Sequence, residues 1–366
     1  MENKERIVLD VAFQPQVRTN NDTQRIMLDV LIALLPALAV AVWQFGAYPL
    51  AVVAVSVVSA VFFEWAYRKL MKKTNTIGDL SACVTGVLLA CTLPPTTPLW
   101  VPVIGSFFAI VVVKQLYGGI GKNFLNPALA GRAFLLASYA LIMGRYIVPN
   151  SLSGVVDGVT MATPLAELYD TGVMPEYYSF SSLFIGKIPG CIGEISALAL
   201  LIGGIYLIVR KVISWRIPVS FIGTVALLTL LFGREGFTNV EWMMYNVLAG
   251  GLMLGAFFMA TDYASSPVTL NGQLLYGVGC GIITVLIRYF GGFPEGVSYA
   301  ILIMNLCAWA IDKAFHRHQF GVSKEDIAAE KAQKKAEKNA IKAEKAAQTA
   351  AMKAEWAEKA AKEAKR

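Results

Sequence analysis

Thr163 offers the clearest site for chemistry outside the apolar runs. It lies in DGVTMATPLAELYD (Asp157–Asp170), where Pro164 follows it and a helical stretch, PLAELY, begins. Threonine suits a helix N-cap and proline suits the first helical position. The plain reading of its hydroxyl is therefore a cap. Small neighbours, Gly158 and Ala162, and a loop position make an exposed hydroxyl the expectation. A second stretch, GGIGKNFLNPALAGR (Gly118–Arg132), offers Asn123, Asn126 and Arg132 within a glycine-rich break. It lacks the GK[ST] ending of a phosphate-binding P-loop, and glycines with Asn-Pro favour a helix break with close packing. Third, Asp29, Glu64, Glu194, Asp262 and Asp312 lie in or at the ends of apolar runs. A charged group there is costly and is a functional candidate by default, although solvation near a run's end removes much of the cost. His316 and His318 come after the last run and read as interfacial residues.

The elements that must position these groups are membrane helices. The chain has 366 residues, 56% of them hydrophobic and 16% charged, and its mean hydropathy is +0.56. Soluble domains carry about a quarter charged residues. Apolar runs of about 20 residues suit hydrocarbon-spanning helices. The fold expected is all-α and integral to the membrane, with about ten transmembrane helices. The runs are Ile26–Gly46, Tyr48–Leu70, Leu80–Leu93, Leu99–Tyr117, Leu129–Met143, and then 192–209, 217–232, 242–260, 273–290 and 297–311. Leu80–Leu93 is short and ends in LPPTTP, so it reads as either a short span or a half-helix.

The chain falls into five parts. Residues 1–25 form a polar segment with no signal-peptide core. Residues 26–143 form a first five-helix set, 144–191 a long loop, 192–312 a second five-helix set, and 313–366 a charged tail rich in Lys, Ala and Glu. The net charge of +7 belongs mainly to that tail, which from Lys313 holds 14 of the 32 Lys and Arg but only 8 of the 25 Asp and Glu. The near-neutral body lacks the basic surface that nucleic-acid binding needs. The tail reads as a solvated helix, because no sustained apolar stripe runs through it. Basic loops at 68–79 and 210–216, with the basic tail, place both termini in the cytoplasm and the 144–191 loop outside the inner membrane. Cys83, Cys91, Cys191, Cys280 and Cys307 form no CxxC pair and read as small packing residues.

An internal repeat is visible. KQLYGGIGKNFLNPAL (Lys114–Leu129) resembles LIRYFGGFPEGVSYAIL (Leu286–Leu302), with Gly118-Gly119 falling on Gly291-Gly292. Asp29 falls near Glu194 in the same comparison, which makes these two the favoured ion-pathway residues. Five helices per half means that the halves are inverted, with broken or short helices meeting near the midplane.

The loop around Thr163 resembles the flavinylation motif D-G-x-S/T-G-A-T of the NqrB/RnfD family, the flavinylated membrane subunits of Rnf and sodium-pumping NADH:quinone oxidoreductase complexes. Asp157, Gly158, Thr160, Ala162 and Thr163 match it in place, and Met161 stands where glycine is usual. The Asn-Pro-Ala stretch resembles one shared by the same subunits, and the likeness covers roughly residues 20–315. It implies FMN in phosphoester linkage to Thr163, installed from FAD by a flavin transferase. It also implies a non-covalent riboflavin between the repeats, for which Asn123, Asn126 and Arg132 are the candidates. It implies an electron-transfer role in an ion-translocating ferredoxin:NAD oxidoreductase, with the other Rnf subunits (A, B, C, E and G), membrane lipid and Na⁺ or H⁺ as partners. No metal ligand set is expected. About 25 residues before the first apolar run favour the Rnf branch over the quinone-linked one, whose subunit has a longer N-terminal extension. Two readings compete: a small-solute channel or transporter, and a purely structural anchor.

Overall fold

The computed structural model describes residues 22–150, 160–172, 178–234, 236–291 and 295–315, with two isolated positions at 333 and 336. Asp157 and Gly158 lie outside the described residues, as do His316, His318, the N-terminal segment up to residue 21 and nearly all of the tail. The chain divides after Phe315 into two units, the first of which is the apolar body.

The first half of that body begins with α1 (Thr23–Phe45) and α2 (Tyr48–Leu70), then α3 (Ser81–Cys91). Next come α4 (Trp100–Phe107), which continues as a π-helix over Phe108–Gln115, then α5 (Pro127–Ser138) and α6 (Ala140–Met143). A two-residue pair, β1 (Tyr146–Ile147) and β2 (Thr160–Met161), runs antiparallel with Tyr146 opposite Met161. Two short helices succeed it, α7 (Pro164–Thr171) and α8 (Phe180–Ile185). The second half holds α9 (Ala197–Val209), α10 (Arg216–Leu231), α11 (Asn239–Leu248) and α12 (Leu252–Leu254), the last extended by a π-helix over Gly255–Met259. It closes with α13 (Leu270–Phe290) and α14 (Val297–Ala314).

Among the described residues four helices, α1, α2, α13 and α14, are long and apolar enough to cross a membrane. A fifth candidate is the α11–α12 pair, bent by 61°. Each of the four long helices has an outward apolar face. On α1, Leu28, Ile32, Leu35 and Trp43 are exposed while Ala33, Ala37 and Ala41 are buried. Leucine outward and alanine inward is the pattern of a helix whose solvent is lipid, since packing there depends on close backbone approach. Gly203 of α9 meets that stripe: a Cβ there would lie 2.1 Å from the Ala33 carbonyl oxygen. Gly277 and Gly281 of α13 pack in the same way against Ser220 and Thr224 of α10.

Three runs read from sequence take a different form. Leu80–Leu93 becomes the 11-residue α3, buried at ten of its positions and enclosed by protein. Its last turn meets a turn before α9: Ile192 and Gly193 donate backbone hydrogen bonds to the Leu93 and Cys91 carbonyls, at 3.0 and 2.8 Å. Gly193 is obligatory at that crossing, because a Cβ would lie 2.3 Å from the Cys91 side chain. The run Leu129–Met143 starts two residues early, capped by Asn126, and breaks at Tyr139. The run 242–260 breaks at Gly250, whose φ of +74° a side chain would resist.

Candidate functional site

Thr163 caps α7. Its backbone is extended (φ −68°, ψ 150°), and its Oγ1 accepts a hydrogen bond from the Ala166 N–H at 3.3 Å. Pro164 occupies the first helical position, and Gly172 ends the helix in a left-handed turn. Upstream, the β1–β2 pair fixes where the chain enters the cap. The expectation of an exposed hydroxyl is not met: Thr163 is 4% exposed, whereas Ala162 beside it is open. The cause is the amphipathic pattern of the helix itself. Leu165 and Leu168 are fully buried and draw the N-terminus inward. Tyr169 adds a hydrogen bond to Asn246 at 3.0 Å.

Asn123 and Asn126 line a cavity of about 770 Å³, together with Thr85, Lys114, Phe257 and Asp262. The two π-helices supply part of this wall, Lys114 from one and Phe257 from the other. Such irregular turns concentrate at functional sites. Asn126 caps α5, with Oδ1 accepting from the Ala128 and Leu129 N–H groups, while its Nδ2 donates to the Met259 carbonyl at 3.0 Å. It thereby ties the first half of the chain to the second. Asn123 donates to the Leu125 carbonyl, and Asp262 accepts from Ser265 at 2.8 Å. Lys114 is buried, ion-paired with Glu64 at 2.7 Å, and donates to Ser81 at 2.6 Å. Volume, an apolar lining and a few fixed polar groups are the attributes of a small-molecule site. Lys114 is neutralised by Glu64 and Asp262 is held by the Ser265 hydroxyl, so the site suits a flat, largely aromatic guest with polar edges.

Arg132 does not line that cavity. It points into a separate buried cluster, where its Nη2 meets Glu295 at 2.8 Å and its Nη1 lies 3.9 Å from Glu194. Glu194 accepts the Cys191 N–H at 3.2 Å and packs against Gly251, at the α11–α12 break. Glu295 lies between α13 and α14. Burial pushes its carboxyl up to about 7 and Glu194 pushes the same way, while Arg132 restrains it. Burial, reinforced by Glu194, also raises the Cys191 thiol well above its ordinary range, so it stays protonated. Arg132 already supplies the positive charge in the middle.

Asp29 sits elsewhere. It accepts from Tyr206 at 2.9 Å and pairs with Arg210 at 3.1 Å, both at the far end of α9 from Glu194. The contact shows that α1 and α9 run antiparallel, and it serves to hold the two helices together. Sequence reasoning missed Glu295 and Lys114 as site residues. Glu295 lay inside the repeat segment GGFPEG, and an acid in a glycine-rich turn between two apolar runs was the available signal.

Comparison with known proteins gives a consistent result. The NQR2, RnfD, RnfE family model matches residues 10–321. The chain is 51% identical over 320 residues to the D component of the Na(+)-translocating ferredoxin:NAD(+) oxidoreductase complex of Acetobacterium woodii, covering 86% of this chain and 96% of that one. It is 41% identical over 321 residues to the D component of the proton-translocating ferredoxin:NAD(+) oxidoreductase complex of Clostridium ljungdahlii, with the same coverage. The D component of the ion-translocating oxidoreductase complex of Escherichia fergusonii is 35% identical over 342 residues, covering 84% and 96% of the two chains. With its apolar helices and a match that spans nearly every described element, this multi-pass membrane protein belongs to the NQR2, RnfD, RnfE family.

Proposed function

We propose that the chain is the membrane electron-transfer subunit of an ion-translocating ferredoxin:NAD oxidoreductase complex, carrying FMN on Thr163 and riboflavin in the Asn123–Asn126 cavity. The observation that carries this reading is the pairing of a hydroxyl at a helix N-terminus with a cavity of flavin size in one chain. A bound flavin supplies one- and two-electron chemistry that no side chain here can. The chain's own residues hold and orient. The first turn of α7 faces the Thr163 oxygen with backbone N–H groups, a fitting seat for a phosphoester anion. Asn126 is held by Met259 and by the α5 N-terminus, and Asn123 is held by the Leu125 carbonyl. Both present fixed amide dipoles beside the apolar wall that Phe257 contributes. Arg132 is left out of the riboflavin site in this reading and belongs to the charged cluster.

The architecture we infer is ten passes in two inverted five-helix halves. It counts α3 and the bent α11–α12 pair as the broken members, and the shorter apolar helices α4, α5, α9 and α10 as further passes. The antiparallel α1–α9 contact supports it. In that arrangement both termini face the cytoplasm, residues 144–191 lie outside, and the membrane is the inner one. The Rnf-type subunits and a flavin transferase are then the partners. The names of the relatives favour this branch over the quinone-linked one.

The test is direct. Co-expressed with a flavin transferase and denatured, the chain should give a fluorescent band, and Thr163→Ala should abolish it. A dark wild-type band beside a working transferase would sink the Thr163 assignment. Non-covalent flavin released on denaturation should persist in Thr163→Ala and be lost in Asn126→Leu.

A further inference from the structure

We propose that Glu194 and Glu295 together hold one exchangeable proton, so that with Arg132 they form a buried protonation site in the body of the chain. The inference deepens the ion-coupling reading above, yet its evidence is geometric and stands without any flavin.

Three chain segments converge there. Arg132 comes from α5, Glu194 and Cys191 from the stretch before α9, and Glu295 from the turn before α14. The Cys191 sulfur and one oxygen from each carboxylate lie within 4.8 Å of one another. Glu194 is 3% exposed and Arg132 7%. A single guanidinium therefore touches two carboxylates, and it does so unequally: it hydrogen-bonds Glu295 and stands off Glu194 at 3.9 Å. Among the described residues, Glu194 Oε2 and Glu295 Oε1 have no hydrogen-bond partner, although both are buried. An unpartnered buried carboxylate oxygen is expensive as an anion and much less so as an acid, because the acid is neutral. Two carboxylates sharing one dry site do not both ionise readily.

The remaining groups around the pair do not remove the need for the proton. Arg288 of α13 is 1% exposed, and its Nη1 donates to the Asn246 carbonyl at 2.6 Å. It lies close enough to exert an electrostatic pull on both glutamates, but it makes no ion pair with either. Cys191, and Cys91 at the end of α3, add no positive charge, and Tyr146 of β1 is a neutral phenol. The proton belongs to the pair and not to one residue, since each carboxylate sets the other's affinity. Its use would be compensation. A negative charge arriving nearby tightens the proton's hold, and a positive one loosens it.

The experiment is infrared difference spectroscopy on the purified full chain in lipid nanodiscs, in H₂O and D₂O, against pH. A protonated carboxyl band that shifts in D₂O should be present at about pH 6 and fall about tenfold by about pH 8. Both Glu194→Gln and Glu295→Gln should abolish it, because the carboxylate left behind pairs alone with Arg132 and stays ionised. Absence of the band in the wild type overturns the proposal, as does its survival in either variant. Its loss on adding sodium chloride at fixed pH also overturns it, and assigns the site to a sodium ion instead. If the variants do not fold, the wild type alone decides. A carbodiimide, which attacks protonated carboxyl groups in apolar surroundings, should modify Glu194 or Glu295 at about pH 6 and not at about pH 9. Peptide mass analysis showing neither residue modified at about pH 6 overturns the proposal. The flavin reading is unaffected by any of these outcomes, since none of them measures flavin.

Discussion

The Asn126 cavity and the Arg132 cluster solve opposite problems with similar residues. Around the cavity, the polar groups are engaged: Lys114 pairs with Glu64, and Asp262 accepts from Ser265. What is left over is volume, about 770 Å³ of it. In the cluster, Glu194 is pressed against Gly251, and what is left over is carboxylate oxygen without a hydrogen-bond partner. A roomy site with engaged polar groups takes a molecule. A tight site with unpartnered carboxylate oxygens takes the smallest cation. A buried polar residue therefore says little about function until both the space and the charge around it are counted.

The contrast can be broken first at the cations. Arg132→Leu strands two buried carboxylates and should destabilise the chain by about 3–5 kcal/mol, seen as a large drop in the apparent melting temperature in detergent. The matched pair should behave otherwise. Replacing Glu64 and Lys114 together, by Leu and Met, should be close to neutral, because no charge is orphaned. Similar losses in the two experiments would erase the distinction.

Stability against pH sharpens it. A glutamate in the unfolded chain loses its proton near its ordinary value, about 4.3, whereas burial holds Glu295 up to about 7. Between those two values the folded state binds the extra proton, so stability falls as pH rises through that window. The effect should be on the order of 2 kcal/mol, and Glu295→Gln should flatten it. A melting temperature that instead climbs with pH across the window, and does so because of Glu295, would contradict the assignment.

Smaller effects are expected at two other residues. Asn126→Ala removes a helix cap and should cost about 1 kcal/mol, with loss of non-covalent flavin as the second readout. Asp29→Asn should cost least, about 0.5 kcal/mol, because its partner Arg210 is 55% exposed and solvent screens the pair.

Much of this was legible in the sequence where the signal is local. Thr163-Pro164 and Asn126-Pro127 announce helix starts, and both residues cap helices. The apolar runs fall on helices throughout. Legibility ends where the deciding partner is far along the chain. What the end of the Leu80–Leu93 run packs against depends on Gly193, about a hundred residues away, which meets its last turn. Arg132 was grouped with Asn126 because they are neighbours in sequence, yet six residues along a helix carry it into different surroundings, with Glu295 as its partner. Thr163 was expected to be exposed because a loop usually is. Two leucines, each fully buried, outweigh that average.

The covered position of Thr163 bears on the order of events in the protein's making. On the proposal that Thr163 carries a flavin, the transferase meets a residue only 4% exposed beneath a seated helix. Modification would then come either before α7 settles on Leu165 and Leu168 or during an excursion from that seat. A chain caught soon after synthesis should accept the group faster than a mature one, and any change that loosens the two leucines should prolong that interval. Once the helix is seated, the same cover would shield such an ester from water and phosphatases. On that proposal the small helix is a clasp that closes after loading.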